Sequence, residues 1–281
     1  MSISDEVDFL LKGLNQYKIC KVVRETPHGI FMVDPTDGLI GRALISYGEF
    51  EYQEKRDWFK YIPAGKLDSI FIDIGANIGT TSIPLILDNL VGKTIAIEPD
   101  PNNFYLFSYN IKANDLEDHI TPIQCALNNF CGTVKFEKSV DNYGDHRVRY
   151  KDNSNGYYNE NNRKVIDVSC MTLDSLVKQY LIDIDKVIAV KCDTQGSEGF
   201  IMEGAKVFLQ TKLPWIIEFS PYLFQRSGYD REKFIDMISD NFSEFIELNP
   251  YGKVERHKNN DFRKLFDEYT GLAFCNLILL P

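Results

Sequence analysis

The order strand, glycine turn, helix, strand, acid constrains this chain more than any other feature. A short apolar run, Phe71-Ile72-Asp73-Ile74, leads into Gly75-Ala76-Asn77-Ile78-Gly79, and the helical pattern TTSIPLILDNL follows. Glycine at both ends of the turn lets the chain bend sharply and lets a ligand approach the backbone. The helix beyond it presents unpaired N–H groups. A second strand, TIAIEPD, carries Glu98, nineteen residues past Gly79. An acid about 20 residues after a glycine turn is placed to hold the hydroxyls of an adenosine ribose.

The rest of the chain continues the alternation. HITPIQCALNN, KVIAVKCDTQGSE and PWIIEFSP read as further strands, with the helical patterns NNFYLFSYNIKAND and GFIMEGAKVFLQ beside them. Short apolar strands alternating with helices imply βαβ units and a parallel sheet, with ligands at the carboxyl ends of its strands. If the first helix starts near Gly79, Pro84 falls after its first turn and bends it. Residues 69–281 are expected to form one domain. Residues 1–68 read as a lead-in packing on it: a short helix over Asp5–Leu14, a hairpin of Ile19–Val23 and Gly29–Val33 around Pro27-His28-Gly29, a helical Ser46–Phe59, and a close at Pro63-Ala64-Gly65. GTVKFEK adds a β segment, and a polar insertion loop over 139–164 has the length of a functional lid. In the tail, FIEL, a Pro250-Tyr251-Gly252 turn, a charged stretch and the final strand suit an antiparallel edge hairpin.

Charge and composition narrow the function. Asp and Glu total 41 against 31 Lys and Arg, a net charge of −10. That excludes the basic footprint of a nucleic-acid binder and disfavours an anionic lipid surface. The six cysteines show no CxxC spacing and there are four histidines, so neither a zinc site nor a disulfide framework is expected. Asp193 with neighbouring acids could hold a divalent ion through oxygen ligands, but no second clear acid stands in sequence, and no metal is assigned. The acidic N-terminus is unlike a secretory signal, no apolar run has the length of a membrane span, and the default compartment is the cytoplasm. For the cofactor, a nicotinamide fingerprint wants a second glycine where Asn77 stands. The Asp73 carboxylate before the turn repels a pyrophosphate and suits a sulfonium or ammonium. S-adenosyl-L-methionine, with S-adenosyl-L-homocysteine as its product, satisfies both conditions.

DIGANIG, IEPDP, TLDSL and VKCDTQGSEGFIMEGA, in that order between about Val33 and Pro221, resemble the FkbM-type family of class I S-adenosylmethionine-dependent methyltransferases. The resemblance implies a Rossmann-like, mostly parallel seven-stranded sheet with helices on both faces and an antiparallel edge strand. It also implies O-methylation (EC 2.1.1) of a hydroxyl on a sugar, glycan or glycosylated natural product. Lys191-Cys192-Asp193-Thr194-Gln195 departs from the common Lys-Ile-Asp-Val-Glu, so no acid role passes to Gln195.

Within that frame, Asp73, Gly75, Asn77 and Gly79 are expected at the methionine end of the cofactor and Glu98 at its ribose. Asp100 and Asn102 either reach the adenine side or cap the following helix, capping being preferred for Asn102. Ala126, beside Cys125, resembles the family's adenine-proximal position, or is strand core. Glu51 and Tyr47 are placed to close over the cofactor. Asp193, at the end of the fourth strand, would orient the acceptor or take its proton; Glu198 belongs to the next helical turn. Glu218 lines the acceptor cleft or is a strand-end acid. Asn142, Tyr143, His146 and Arg147 lie in a segment that resembles a family loop motif. His146 would be a general base or a solvated loop histidine, Arg147 would hold an acidic sugar or phosphate, and Asn142 and Tyr143 would touch the acceptor. Tyr143, Tyr150, Tyr157 and Tyr158 suit stacking on a sugar, or a tyrosine-rich lid.

Other classes fit less well. A nicotinamide-dependent reductase or epimerase needs the missing glycine and a Tyr-x-x-x-Lys helix. A nucleic-acid methyltransferase needs an Asn/Asp-Pro-Pro-Tyr tip where Asp193-Thr194-Gln195-Gly196 stands. A non-catalytic cofactor-binding protein remains compatible with Asp73 and Glu98. The partners expected are a small-molecule or glycan acceptor and, at most, a second copy in a homodimer.

Overall fold

A computed structural model describes residues 3–63, 65, 67–151, 156–249 and 254–281. Its strands are β1 (Val22–Thr26), β2 (Gly29–Val33), β3 (Ile70–Ile74), β4 (Lys93–Ile97), β5 (Ile120–Ile123), β6 (Ala126–Leu127), β7 (Gly132–Lys138), β8 (Arg147–Val148), β9 (Lys164–Met171), β10 (Val187–Cys192), β11 (Trp215–Phe219), β12 (Glu244–Leu248), β13 (Val254–Lys258) and β14 (Cys275–Leu280). The main sheet has the order β13-β12-β14-β11-β10-β3-β4-β5. Strands β11, β10, β3, β4 and β5 are parallel, and β14 runs antiparallel between β11 and β12. This is the expected α/β class. The sheet has eight strands rather than seven, because charged β13 folds back on β12 as an antiparallel edge hairpin. The strand reversed against the parallel set is therefore internal, while β13 supplies the antiparallel edge. The turn expected at Pro250-Tyr251-Gly252 and Ala64 of the lead-in close lie outside the described residues.

Every residue of β3 is buried, as a central parallel strand covered on both faces requires. Alternate residues feed two apolar layers. Ile72, Ile74 and Ile97 pack with Leu173, Ile201, Phe208 and Phe234 from helices on one face. Phe71, Ala96 and Ala189 pack on the other with Phe31, Leu44, Trp58 and Phe107. The lead-in thus contributes to the core that holds the sheet.

Several local expectations are corrected. The helix after the glycine turn runs over Ser82–Leu87, so Pro84 sits in its first turn, where proline is tolerated, rather than after it. The helical Ser46–Phe59 is broken: helices run over Ile40–Tyr47 and Tyr52–Asp57, separated by Gly48 and Glu51 with positive φ. The single helix expected over GFIMEGAKVFLQ is likewise two, Glu198–Glu203 and Lys206–Gln210. The third strand divides between two sheets, β5 in the main one and β6 in a second of order β6-β9-β7-β8. Strand β9, not anticipated, pairs with GTVKFEK across its whole length. The insertion between them is tied down by buried ion pairs described below.

Candidate functional site

The carboxyl ends of β3, β4, β5 and β10 open into one cavity, as the switch-point rule for open α/β sheets expects. Gly75 and Asn77 line its floor. Gly75 has φ +82°, and a Cβ there would stand 1.9 Å from the carbonyl oxygen of Asp193, so only glycine lets the β3 turn pass the β10 tip. Asn77 occupies the second-glycine place with φ +52°, a left-handed conformation that asparagine tolerates. Its Nδ2 donates to the Tyr143 carbonyl at 3.1 Å, as does Asn103 Nδ2 at 3.0 Å, fastening the insertion over the turn.

Glu98 lines the cavity with its carboxylate oxygens accepting from the N–H groups of Asn77 (2.9 Å) and Asp100 (2.8 Å). Burial pushes its carboxyl up to about 8, against the lowering effect of those two N–H groups. Each oxygen keeps a second lone pair for a ligand hydroxyl. Ala126 and Cys125 line the wall beyond β5, and Glu51 reaches the cavity from the lead-in.

Other assignments move. Asp73 is fully buried beneath the floor and does not line the cavity: its Oδ2 accepts from Ser82 Oγ at 2.6 Å and its Oδ1 lies 3.2 Å from Lys191 Nζ. Its charge is compensated there and does not face a sulfonium. Gly79 is a packing glycine, since a Cβ would meet the Phe107 ring at 2.6 Å. Asp100 is the helix cap, accepting from the N–H groups of Asn102 and Asn103 and pairing with Lys138 at 2.7 Å. Asn102 is thus capped rather than capping, and neither residue lines the cavity. Tyr47 is exposed and takes no part in it. Tyr143 lines this first cavity rather than an acceptor site, and its hydroxyl is 2.8 Å from Thr36 Oγ1.

His146 also lines the first cavity, 8% exposed. The Ser139 N–H donates to its Nδ1 at 2.9 Å, which leaves Nε2 carrying the proton of the neutral ring. Burial holds its pKa down at about 4. It is therefore not the solvated loop histidine that sequence allowed, and with its pKa held low it is a poor general base, the other reading. Arg147 lines neither this cavity nor the second. It is buried among Glu137 (2.9 Å), Asp145 (2.9 Å) and Glu160 (3.1 Å), so its charge is spent inside the protein and holds no acidic acceptor.

A second cavity, with about 710 Å³ of empty space, adjoins the first and shares Ile40, Phe50, Glu51, Gly144 and Asp193 with it. Asn142, Tyr158, Gln195 and Glu218 line it. Gln195 Nε2 donates to Asp193 Oδ1 at 3.1 Å and to Glu218 Oε2 at 2.7 Å, so one amide bridges the tips of β10 and β11. An acid at position 195 would place a third carboxylate there. Burial, then the nearby Asp193 and Glu198 charges, raise the Glu218 carboxyl well above its ordinary range. Glu198 opens its helix as expected, accepting from the Thr194 N–H at 2.9 Å. Of the remaining loop tyrosines, Tyr150 stacks on Phe200 at 4.3 Å and Tyr157 packs edge-on against Tyr222.

Two cavity residues were missed from sequence. Lys191 Nζ donates to the Gly75 carbonyl at 3.0 Å and lies 3.6 Å from Asp193. Burial alone would lower it, but Asp73 and Asp193 hold it above the ordinary lysine value. Lys55 comes from the lead-in, with no spacing signal to mark it. Among the described residues, a group with metal-ligand composition, Glu247, Glu255 and His257, lies on the β12–β13 hairpin, and none of the three lines either cavity. No helix among the described residues is long and apolar enough to cross a membrane.

Comparison with known proteins gives the following. The profile described as the methyltransferase FkbM domain matches residues 73–252. Methyltransferase sdnD of Sordaria araneosa is 24% identical over 153 residues, 47% of this chain and 59% of that protein, so the chain spans less than two thirds of this relative. The crystal structure of an FkbM methyltransferase from Methylobacillus flagellatus KT is 18% identical with a TM-score of 0.47, covering 82% of this chain and 48% of that one. A geranyl diphosphate methyltransferase solved with SAM is 9% identical with a TM-score of 0.45, covering 85% and 87%.

Proposed function

The chain belongs to the FkbM methyltransferase family, and from that premise we propose that it transfers a methyl group from S-adenosylmethionine to a hydroxyl of a sugar, glycan or glycosylated natural product. The observation that carries this reading is the pair of adjoining cavities that share Asp193. The first suits the cofactor: a buried acid past β4 for the ribose, Ala126 and Cys125 for the adenine, and the Gly75–Asn77 turn for the methionine end. When bound, the cofactor supplies an activated methyl on sulfur. The protein's part is then to hold the acceptor oxygen in line and remove its proton.

Asp193 stands where the two cavities meet, and Gln195 and Lys191 orient its carboxylate. We assign it the proton-accepting or hydroxyl-orienting role in place of His146. Glu218, on the same amide bridge, faces the acceptor side and holds a proton more readily than an ordinary carboxyl, so it serves as a hydroxyl partner. Glu51, Asp145, Asp193 and Glu218 line the second cavity without a Lys or Arg among its lining residues; Asp145 is met by Arg147 and Arg163 behind it, so Glu51 and Asp193 supply the negative charge. That lining suits an uncharged or cationic acceptor and repels an acidic one. Family membership weighs against the nicotinamide-dependent reductase; the non-catalytic reading is tested by turnover.

Calorimetric titration with S-adenosylhomocysteine, NAD alongside, tests the cofactor. Micromolar binding of the first alone supports it, and absence of that binding overturns it. A screen of neutral and amino sugars with S-adenosylmethionine, read as methyl gain by mass spectrometry, tests the acceptor class. With an accepted sugar in hand, Asp193→Asn should lower turnover by about 10²–10⁴-fold while S-adenosylhomocysteine affinity stays within a few-fold of wild type. Equal turnover would remove Asp193 from the reaction.

A further inference from the structure

Lys55 is 6% exposed and lines the first cavity. A buried ammonium is stable only when its charge is met. Its partners meet it incompletely: the Phe50 carbonyl at 3.1 Å, Thr80 Oγ1 at 3.4 Å, the Phe50 ring, and Glu51 Oε2 at 3.6 Å. The other lysine of the cavity is in the opposite situation. Lys191 lies against Asp73 and donates to the Gly75 carbonyl, and its pKa rises, whereas burial pulls Lys55 below the ordinary lysine value despite Glu51. Lys55 is thus the cavity lysine that no buried carboxylate meets, its one acid partner being the half-exposed Glu51.

Its position along the cavity says what it meets. Just past the carboxyl ends of the neighbouring strands β5, β4, β3 and β10 stand, in that order, Cys125, Glu98, Gly75 and Asp193, with Ala126 next to Cys125 at the start of β6. A nucleoside with its base at Ala126 and ribose at Glu98 directs its 5′ substituent toward β3 and β10. Lys55 Nζ reaches Thr80 Oγ1, in the cavity wall directly after Gly79 of the β3 turn, at 3.4 Å, and so lies at that end. The 5′ substituent of S-adenosylmethionine ends in an amino acid, an α-carboxylate beside an α-ammonium, and Lys55 with Glu51 offers one opposite charge for each.

We propose that Lys55, carried by the N-terminal lead-in, binds the α-carboxylate of the cofactor's methionine moiety, with Glu51 beside the α-ammonium. This rests on the cofactor reading above and adds to it. The site is completed by a segment outside the span that matches the family profile, residues 73–252. Residues 1–68 are then part of the binding machinery rather than a prelude to it, and methionine-bearing nucleosides are selected over plain ones.

Three ligands test this by calorimetry on the full chain: S-adenosylhomocysteine, its decarboxylated analogue S-adenosyl-3-thiopropylamine, and 5′-methylthioadenosine. Wild type should bind the first about 10–100-fold more tightly than the other two, as one charge-assisted contact implies. Lys55→Met should erase most of that preference, weakening S-adenosylhomocysteine while leaving the carboxylate-free ligands within about twofold. Lys55→Arg should restore part of it. The proposal is overturned if wild type binds the decarboxylated analogue as tightly, or if Lys55→Met weakens all three alike. Should Lys55→Met fail to fold, the wild-type ligand preference and Lys55→Arg still decide. If wild type binds none of the three, the cofactor reading itself falls, and the inference with it.

Discussion

Replacing Glu98 with Gln is expected to weaken S-adenosylhomocysteine binding by about 100-fold or more. A ribose diol directed at a carboxylate makes two charge-assisted hydrogen bonds, each contributing about 1.5–3 kcal/mol, and a carboxamide offers one acceptor where the acid offers two. The same change reaches the protein, because Glu98 also accepts from the N–H groups of Asn77 and Asp100. One of those donors then faces an amide NH₂, so a stability loss of about 1–3 kcal/mol accompanies the loss of affinity. The pH dependence separates the two effects. Burial places the folded-state carboxyl at about 8, above its unfolded value, so below that pH the free protein holds a proton that the folded state favours. The stability this contributes is full below pH ~4.5 and is lost as pH rises toward 8. Ribose hydroxyls favour the ionised form, so binding expels the proton, and affinity should rise from pH 6 to pH 8 and then level. In Glu98→Gln that rise should vanish. Calorimetry in two buffers of different ionisation enthalpy would detect the proton released. A pH-independent wild type would remove Glu98 from the ribose.

The second large effect concerns Arg147, for which the sequence suggested an acceptor role. Its guanidinium contacts Glu137, Asp145 and Glu160, Arg149 adds a second contact to Glu137 at 2.7 Å, and Arg163 pairs with Asp145. All of these groups except Arg149 are buried. Removing one cation leaves buried carboxylates uncompensated, which typically costs about 3–5 kcal/mol. Arg147→Ala should therefore lower Tm by about 10 °C, taking roughly 2–4 °C per kcal/mol for a domain of this size. A thermal melt decides the matter: an unchanged Tm with a raised acceptor KM would return Arg147 to substrate binding. The cluster also explains how an insertion rich in Asn, Asp and Gly keeps Tyr143 and His146 against the first cavity. Ion pairs joining β7, β8 and the chain before β9 replace the apolar periodicity that the segment lacks.

What was legible in advance was local. Glycines needed for positive φ at Gly75, apolar runs of buried-strand length, and an acid at the end of the next strand follow from neighbours along the chain, and Gly75, Asn77 and Glu98 line one cavity. The edge hairpin was readable for the same reason, since alternation on both sides of a turn is a short-range signal. Misread features depended on partners far away. Asp73 looks like a ligand until Lys191 and Ser82 are seen to enclose it. Gly79 looks like part of the methionine-end turn until the Phe107 ring is seen to need its space. His146 looks like a base until a backbone N–H on its Nδ1 settles where the proton sits.

The sequence by itself determined the α/β class, the order of the parallel strands' motifs and the glycine turn, because backbone conformation and side-chain period are set within a few residues. The tertiary structure alone decided which charges are free. The Asn77–Tyr143 bond spans 66 positions and the Gln195–Glu218 bond 23. Burial and charge compensation are sums over such distant contacts. They left Lys55 and Asp193 facing the cavities while enclosing Arg147 and Asp73, which no spacing along the chain could reveal.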